Sequence, residues 1–349
     1  MQCAEPDWSL SWAGTSTTFR NLFTTGALMI DDTNSICESL AYVNTDTATD
    51  RRTNLGLGDT EAFVDDRRSC SQATTKSVVA VSQVYELVRE LGRGMYGEVW
   101  LARKRSSGIE RAIKVLFQPA ACDAARRELK SLELVKNLRH PRLLATEDFW
   151  VTNNRLYIVM ELADGTLRGR LKHYQREGLP GIPADELFRY IAEAAEGLDY
   201  LHDRKITHRD VKPDNILFIH GHAKVADFGL ARAYEQPLQS MSFVGSPMYL
   251  APEMWGCKGG PASDQYSLAV SYVELRQGRP PLPPLPLLEL MVAHQEGRFE
   301  FAGHISAAEQ VVLRRAMASA PGNRYPSCRA FVTDLMSVSS QPRPTRISG

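Results

Sequence analysis

Apolar and polar residues alternate with different periods in the two parts of the sequence that carry a regular pattern. Residues 85–91 alternate as the side chains of a strand do, and strand-forming runs recur at 111–116, 146–151 and 156–160. From residue 184 to 202 the apolar positions instead fall at helical spacing, which predicts an amphipathic helix. The pattern therefore predicts a β-rich region followed by a helical one.

Residues 1–84 show no lasting helical or strand period. Serine, threonine, aspartate and asparagine dominate this stretch, and their short polar side chains compete with regular structure by bonding to nearby backbone groups. The stretch is predicted to be a mostly disordered Ser/Thr/Asp-rich extension, in which Met29 offers an alternative start. The last residues, 337–349, are interpreted as a short basic tail.

Composition argues against several classes of protein. Basic and acidic residues number 41 each, so the formal net charge of zero gives no electrostatic reason to expect nucleic acid or an anionic membrane as partner. No apolar run approaches the ~20 residues of a membrane span, and no secretory signal is visible. The 6 cysteines are scattered and form no Cys-x-x-Cys pair, which favours a reduced, intracellular protein. We therefore expect a cytoplasmic protein.

Two short motifs carry the chemistry of the chain. Residues 208–217 read HRDVKPDNIL, and residues 224–229 read KVADFG. These motifs resemble the catalytic loop and the metal-binding signature of the protein kinase superfamily. The resemblance implies that Asp210 takes the proton of the acceptor hydroxyl. It also implies that Asn215 and Asp227 hold the magnesium ions of bound Mg-ATP, with Mn²⁺ as an alternative metal.

A lysine lies two residues after the catalytic aspartate. Lys212 is similar to the lysine of the serine/threonine branch of the family rather than to the residue of the tyrosine branch. The resemblance implies that this lysine screens the charge of the departing phosphate. His208, at the start of the motif, is expected to be a packed structural residue.

A glycine-rich stretch with the sequence GRGMYG precedes these motifs. Gly92, Gly94 and Gly97 match a G-x-G-x-x-G pattern that also occurs in dinucleotide-binding folds, where the loop joins a strand to a helix. Strand-forming residues follow here, so the loop is predicted to be a hairpin, similar to the kinase loop that covers ATP phosphates. By position, the resemblance assigns further ATP contacts to Leu91, Val99, Ala112 and Leu217, and to the hinge residues Glu161 and Ala163.

One lysine stands in an apolar strand, where burial without an anionic partner is costly. Lys114 matches the lysine of the kinase V-A-I-K element, which contacts the α- and β-phosphates of ATP. Its expected partner is a glutamate on the following helix, for which two candidates exist. Glu128 shares a helical face with apolar residues, whereas Glu133 shares its face with polar ones. Glu128 is preferred, although it lies closer to the lysine than is usual in the family.

Residues 245–253, with the sequence GSPMYLAPE, resemble the end of the segment on which kinases dock peptide substrates. Ser246 in this segment is expected to approach the catalytic aspartate and Lys212. The resemblance also implies structural roles for Glu253, Asp264 and Arg324.

The segment before that motif contains candidate phosphorylation sites. Arg209 places a positive charge beside the catalytic aspartate, and a phosphate on Ser242 would supply an anion for it. Ser240 is the second candidate. If two copies modify each other in this way, a transient homodimer for autophosphorylation in trans is expected.

A proline-rich stretch, 280–286, departs from the family pattern. Its sequence is PPLPPLP, and we expect a rigid loop there.

The resemblance covers residues 85–336 and is most similar to bacterial eukaryotic-like (Hanks-type) serine/threonine kinases. It implies an α+β fold with a small antiparallel sheet and one helix in an N-lobe, 85–161, and a mainly helical C-lobe, 162–336. The implied activity is ATP-dependent phosphorylation of serine and threonine hydroxyls of protein substrates. A pseudokinase on the same fold and a small-molecule phosphotransferase are the alternatives.

Overall fold

Strands come first in the folded chain and helices follow. A computed structural model describes residues 84–94, 97–117, 123–228, 232–233, 246–256 and 258–339. The predicted disordered extension, the serines at 240 and 242 and most of the predicted basic tail lie outside these residues. The α+β class is confirmed for the described part of the chain.

Five antiparallel strands form a sheet in the order β1-β2-β3-β5-β4. Their bounds are β1 Tyr85–Arg93, β2 Gly97–Lys104, β3 Glu110–Leu116, β4 Thr146–Thr152 and β5 Arg155–Met160. Asn153 and Asn154 join the last two strands with left-handed φ angles of 47° and 58°. Asparagine tolerates this conformation, which a tight hairpin turn requires. The predicted strands are confirmed.

The two faces of this sheet are covered differently. On one face Tyr85 stacks on Trp150 with 6.3 Å between ring centroids, and Trp150 stacks on Tyr157 at 5.5 Å. On the other face lies helix α1, Asp123–Val135, whose Leu132 belongs to a cluster with Leu116, Leu156 and Ile158. The helix is therefore fixed to the sheet by its apolar side, and this contact sets the position of its remaining side chains.

The second half of the chain is built around helices. Their bounds are α2 Leu167–Arg176, α3 Ala184–Asp203, α4 Pro261–Gln277, α5 Leu287–Glu296, α6 Ala307–Ala316 and α7 Cys328–Ser339. Helix α3 confirms the helix predicted from residue 184. Helix α7 continues through Ser339, so the predicted domain boundary after residue 336 falls inside a helix.

Helix α4 is the centre of this half. Every residue from Ser263 to Leu275 is buried, and the helix packs against its neighbours on all sides. Pro261 starts the helix, and Gly278 ends it with a left-handed φ of 86°. A helix that is buried all round is a rigid support for the polar groups that it carries.

Short strands connect the helices to the catalytic motifs. Their bounds are β6 Gly165–Thr166, β7 Ile206–Thr207, β8 Ile216–Ile219, β9 His222–Val225 and β10 Arg232–Ala233. Strands β6, β8 and β9 form one small sheet, and β7 pairs with β10. The predicted catalytic loop lies between β7 and β8, and the predicted metal-binding signature follows β9. Among the described residues, no helix is long and apolar enough to cross a membrane.

A buried ion pair joins the end of the substrate-docking segment to the C-terminal helices. The two terminal nitrogens of the Arg324 guanidinium, Nη1 and Nη2, each lie 2.8 Å from one carboxylate oxygen of Glu253. The arginine side chain is 0% exposed and the glutamate side chain 11%. Arg324 also donates to the carbonyl oxygens of Ala262 and Ala318. These contacts use the planar guanidinium group of arginine with its five N–H donors, which the ammonium group of lysine cannot reproduce.

Replacement of Arg324 by alanine should lower the free energy of unfolding by about 3–5 kcal/mol, because it leaves the Glu253 carboxylate buried without its partner. Arg324→Lys should be less severe, since it keeps the charge but loses the planar fork. Arg298→Ala is the matched control, because Arg298 pairs with Glu296 at an exposed site and should change stability by less than about 1 kcal/mol. Urea denaturation measures all three; equal effects of Arg324→Ala and Arg298→Ala would contradict this account.

Candidate active site

The backbone of the catalytic loop is held by one carboxylate from the central helix. Asp264 accepts hydrogen bonds from the backbone N–H groups of His208 and Arg209, each at 2.8 Å. Its Oδ2 also lies 2.8 Å from Nε2 of His202, on α3. Burial alone would raise the pKa of Asp264, but His202 and these donors lower it. The carboxylate is therefore an ionised anchor beneath the loop.

His202 is charged for the complementary reason. Burial alone would lower its pKa, but the carboxylates of Asp199 and Asp264 outweigh burial and raise the pKa. Asp199 in turn accepts hydrogen bonds from the backbone N–H groups of Cys328 and Arg329 at the start of α7. The imidazolium thus links three helices directly beneath the catalytic loop.

His208 connects the two motifs that the sequence singled out. It is fully buried, its Nε2 lies 2.9 Å from the carbonyl oxygen of Ala226, and its ring meets the edge of Phe228 at 5.5 Å. Ala226 and Phe228 flank Asp227. The histidine therefore fixes the catalytic loop relative to the metal-binding signature through packing and one hydrogen bond.

Asp210, Lys212 and Asn215 converge at the end of this loop. Lys212 Nζ lies 2.8 Å from Asp210 Oδ2, and Asn215 Nδ2 donates to the same oxygen at 2.9 Å and to the Asp210 carbonyl oxygen at 2.8 Å. The Asp210 side chain is 12% exposed, so its oxygens are held and yet remain accessible. Two donors on Oδ2 leave Oδ1 as the oxygen directed toward the substrate-docking segment.

Ser246 approaches the same group from the docking segment. Its hydroxyl lies 3.1 Å from Lys212 Nζ, and its backbone N–H donates to Asp210 Oδ1 at 3.3 Å. The start of the docking segment is thereby joined to the catalytic loop through the two side chains that the sequence assigned to proton acceptance and charge screening.

Lys114 lies between two carboxylates. Its Nζ is 3.2 Å from Glu128 Oε1 and 2.9 Å from Asp227 Oδ1. Burial alone would lower the pKa of the lysine, but Asp227 and Glu128 raise it. The contact joins strand β3 to helix α1 and to the metal-binding signature.

The two glutamates of α1 have different surroundings. The Glu128 side chain is 13% exposed, whereas that of Glu133 is 54% exposed and bonds Lys136 one turn away. Burial raises the pKa of Glu128, and Lys114 opposes this rise. The apolar face of the helix, which packs on the sheet, therefore carries Glu128 toward Lys114 and leaves Glu133 in solvent.

Asp227 is more accessible than Glu128, the other carboxylate that contacts Lys114. Its side chain is 42% exposed, and its φ of 64° is left-handed. Burial of the site would raise its pKa, but Lys114 and Lys212 lower it to about 2. A non-glycine residue held in this backbone conformation is often found at functional sites. The carboxylate is ionised at any ordinary pH and directed toward the open side of the site.

The oxygen donors fit a divalent metal. Ala226 N–H donates to the Asn215 carbonyl oxygen at 2.9 Å, and β8 pairs with β9, so Asn215 and Asp227 lie at the same end of one hairpin. A carboxylate and an amide oxygen at this position are hard ligands of the kind that Mg²⁺ prefers. Asn215 and Asp227 would hold the metal, and the remaining coordination positions of the cation would be open to water and phosphate oxygens.

The glycine-rich stretch is the predicted hairpin. Arg93 pairs with Glu98 across β1 and β2, and Gly94 N–H donates to the Gly97 carbonyl oxygen at 2.8 Å. A Cβ at Gly97 would lie 2.4 Å from the Val115 carbonyl oxygen, so only glycine fits there. At Gly92 an added Cβ would meet no atom of the described residues within 4 Å. The backbone therefore borders open space, as a phosphate-covering loop requires.

The remaining residues assigned to ATP lie on strands and at the end of the sheet. Val99 on β2 lies opposite Lys114 on β3, and Ala112 on β3 lies opposite Met160 on β5. Met160 ends β5 just before the hinge residues Glu161 and Ala163. Leu91 lies on β1, and Leu217 lies on β8 opposite Lys224.

Two ion-pair networks at the site were missed by the sequence analysis. Lys224 Nζ lies 2.7 Å from Glu161 Oε2, which ties the hinge to strand β9. Arg168 contacts Asp214, Tyr249 and Glu274 and so joins the catalytic motif, the docking segment and helix α4. These partners are far apart along the chain, and no local pattern indicates that they meet.

The comparisons with known proteins agree with this geometry. A model of the protein kinase domain matches residues 85–348. Serine/threonine-protein kinase PknF of Mycobacterium tuberculosis is 31% identical over 296 residues, 76% of this chain and 59% of the relative. CBL-interacting protein kinase 4 of Oryza sativa is 33% identical over 251 residues, 69% of this chain and 54% of the relative. Aurora kinase of Patiria pectinifera is 30% identical over 245 residues, which cover 69% of this chain and 59% of the relative.

The chain spans 59% of the length of the mycobacterial relative that it matches. The match to the domain model nevertheless covers the sheet, the catalytic motifs and the helical half, so the two-lobed kinase fold is confirmed. The predicted resemblance to Hanks-type serine/threonine kinases is likewise confirmed, and this chain belongs to the protein kinase family.

Proposed function

We propose that this protein is a serine/threonine protein kinase, which transfers the γ-phosphoryl group of ATP to hydroxyl groups of protein substrates. The observation that carries the proposal is the convergence of Asp210, Lys212 and Asn215 beside the docking segment. Phosphoryl transfer requires a positioned acceptor, metal ligands and neutralised charge, and these residues can supply each of them. The serine/threonine kinases among the relatives support the same reaction class.

Asp210 is the residue proposed to accept the proton of the acceptor hydroxyl. Its Oδ2 is engaged by two donors, so we assign Oδ1 to the incoming hydroxyl. Lys212 lies between this carboxylate and the Ser246 hydroxyl, where its positive charge would screen the transferred phosphoryl group. Neither residue forms a covalent bond to the phosphoryl group; Asp210 accepts a proton and Lys212 acts through its position and charge.

Magnesium is the proposed metal, with Mn²⁺ as an alternative. A bound divalent metal would bridge the phosphate oxygens of ATP and neutralise their charge. Asn215 and Asp227 are the proposed protein ligands. Because Asp227 is already ionised beside Lys114, no proton would have to leave before it binds a cation.

Lys114 is proposed to contact the α- and β-phosphates of ATP while Glu128 holds it in place. The lysine faces two carboxylates in the described structure, so phosphate oxygens could replace Asp227 without leaving the ammonium group unpaired. Glycines 92, 94 and 97 would cover the phosphates. The adenine would lie between the apolar residues Leu91, Val99, Ala112 and Leu217, with backbone bonds at Glu161 and Ala163.

Ser242 is the proposed activating phosphorylation site, with Ser240 as the second candidate. Arg209 is 5% exposed and lies beside the catalytic aspartate, where a phosphate could form charge-assisted hydrogen bonds. Modification in trans would require a transient pair of kinase molecules.

We further propose that the kinase domain runs from residue 85 to the end of α7 at residue 339, with the lobes meeting at residues 161–162. The scattered cysteines support a reducing, cytoplasmic location. The formal net charge of zero argues against nucleic acid as a partner.

The first test is intact-mass and phosphosite analysis after incubation of the purified chain with Mg-ATP. Phosphate on serine or threonine in the wild type, and none in Asp210→Asn, is the expected result, because asparagine cannot accept the hydroxyl proton. A generic protein substrate and a nucleotide-binding measurement accompany the assay. Binding of nucleotide without phosphorylation of the chain itself or of the generic substrate would contradict the kinase proposal and favour a pseudokinase.

Replacement of Glu128 by glutamine should lower kcat/KM by about 10- to 100-fold, equivalent to ~1.4–2.8 kcal/mol of transition-state stabilisation. The amide keeps the size of the side chain and removes the charge that holds Lys114. Glu133→Gln is the matched control on the same helix and should change kcat/KM by less than about twofold. If Glu133→Gln had the larger effect, the pairing role would belong to Glu133.

Ser242→Ala should lower kinase activity, because the loop would lose the phosphate that Arg209 can bind. Peptide phosphorylation by the wild type, Ser242→Ala and Ser240→Ala, each after preincubation with Mg-ATP, measures the effect. Equal turnover of all three proteins would contradict activation at this loop. A loss confined to Ser240→Ala would transfer the role to Ser240.

A further inference from the structure

In the proline-rich stretch before α5, two leucines that are three residues apart face the core. Leu282 is 2% exposed and Leu285 packs against the main core, whereas Pro283, Pro284 and Pro286 are exposed. A polyproline II helix has three residues per turn, so residues i and i+3 lie on one edge. The two leucines form the inner edge, and Pro283 and Pro286 form an outer edge.

The sequence enforces this conformation. Proline fixes its own φ near −65°, and the residue before a proline is restricted to extended conformations. Each residue from 279 to 286 is a proline or directly precedes one, as the sequence RPPLPPLP shows, so at least one of the two rules applies at every position. Pro286 has φ −54° and ψ 148°, close to polyproline II values.

Neighbouring residues hold the stretch in place at its first end. Glu300 N–H donates to the Pro281 carbonyl oxygen at 2.8 Å, and the buried Gln277 side chain donates to the carbonyl oxygens of Arg279 and Pro280. At the other end Pro286 precedes the first turn of α5. Within the described part of the chain, residues 282–285 make no backbone hydrogen bond, as in a solvated polyproline II segment.

A charge and an apolar side chain flank the outer edge. Arg279 is exposed and pairs with Glu300 at the surface, 3.0 Å apart, an interaction that a binding partner can replace at little cost. Leu288, two residues beyond Pro286, is 75% exposed. Arg279 precedes the exposed prolines along the chain and Leu288 follows them, so an exposed positive charge and an exposed apolar side chain flank the stretch.

We propose that Pro283 and Pro286 form a docking ridge for a proline-recognition module of the SH3, WW or EVH1 kind. Such modules bind preformed polyproline II segments with PxxP spacing in grooves lined by aromatic side chains. An acidic residue at the groove's end would meet Arg279. Because Leu282 and Leu285 remain in the core, the module would contact only the outer edge formed by Pro283 and Pro286. The ridge is already ordered, so binding avoids the entropic cost of ordering this segment.

The test uses the full chain and a panel of purified SH3, WW and EVH1 domains, with dissociation constants measured by isothermal titration calorimetry. At least one domain should bind. Pro283→Ala and Pro286→Ala should each weaken binding by about tenfold, since each removes two buried ring methylenes. Pro321→Ala is the matched control at an exposed proline elsewhere and should leave binding unchanged.

Arg279→Glu should weaken binding more at low salt than at high salt, because the contact is electrostatic. This variant also keeps the test valid if the proline variants do not fold, which thermal unfolding would reveal. The proposal would be overturned if every domain bound Pro283→Ala and Arg279→Glu as tightly as it bound the wild type. Self-association that requires Pro283 would assign the ridge to a second copy of the chain and would also overturn it.

Discussion

The charge of Asp264 supports the catalytic loop. Its carboxylate is buried in the first turn of helix α4, where an anion without partners would be strongly destabilised. Two backbone N–H groups of the loop and the His202 imidazolium compensate for this burial. Arg209 has a left-handed φ of 69°, which lets consecutive N–H groups of the loop reach one carboxylate. The loop therefore keeps its strained backbone because a buried charge requires those two donors.

The same anchor sets the geometry of the residues beyond it. His208, fixed by its backbone bond to Asp264, reaches the Ala226 carbonyl oxygen with its side chain. Strand pairing between β8 and β9 then places Asn215 beside the signature that contains Asp227. The proposed proton acceptor and the proposed metal ligands are thus positioned from one rigid helix, although they lie in loops.

Sequence reasoning located the groups whose residue types and spacing are restricted by the chemistry. The choice between Glu128 and Glu133 also followed from the sequence, because helical periodicity distinguishes the face that packs on the sheet from the solvated face. The carboxylate on the packed face is the one that lies 3.2 Å from Lys114. Strands and the long helix α3 were predictable for the same reason, since burial leaves a periodic pattern.

Contacts between distant polar residues left no such pattern. Arg168 and Glu274 are 106 positions apart, and each is an ordinary charged residue within its own helix. Glu161 and Lys224 are 63 positions apart, and the glutamate was assigned only a backbone role. Such pairs depend on how the helices and strands pack, and a side chain that meets its partner across the fold has the same local sequence as one in solvent. Helix α7 continues past the predicted boundary at residue 336 to Ser339, and Val338 in this last turn packs against the core.

The contact between Lys114 and Asp227 differs from the anchor at Asp264 in one physical respect. Asp264 is fully buried and is held by two backbone N–H groups and the buried His202 ring, so it cannot exchange partners without disrupting the loop. Asp227 is partly exposed and its partner is a flexible lysine that has a second carboxylate within reach. One ammonium group beside two carboxylates leaves an excess negative charge, which favours the entry of a cation. A metal that bound Asp227 would free Lys114 for phosphate oxygens while Glu128 kept it in position. The fold thus holds the catalytic loop rigidly and leaves an exchangeable ion pair where the proposed ligands must enter.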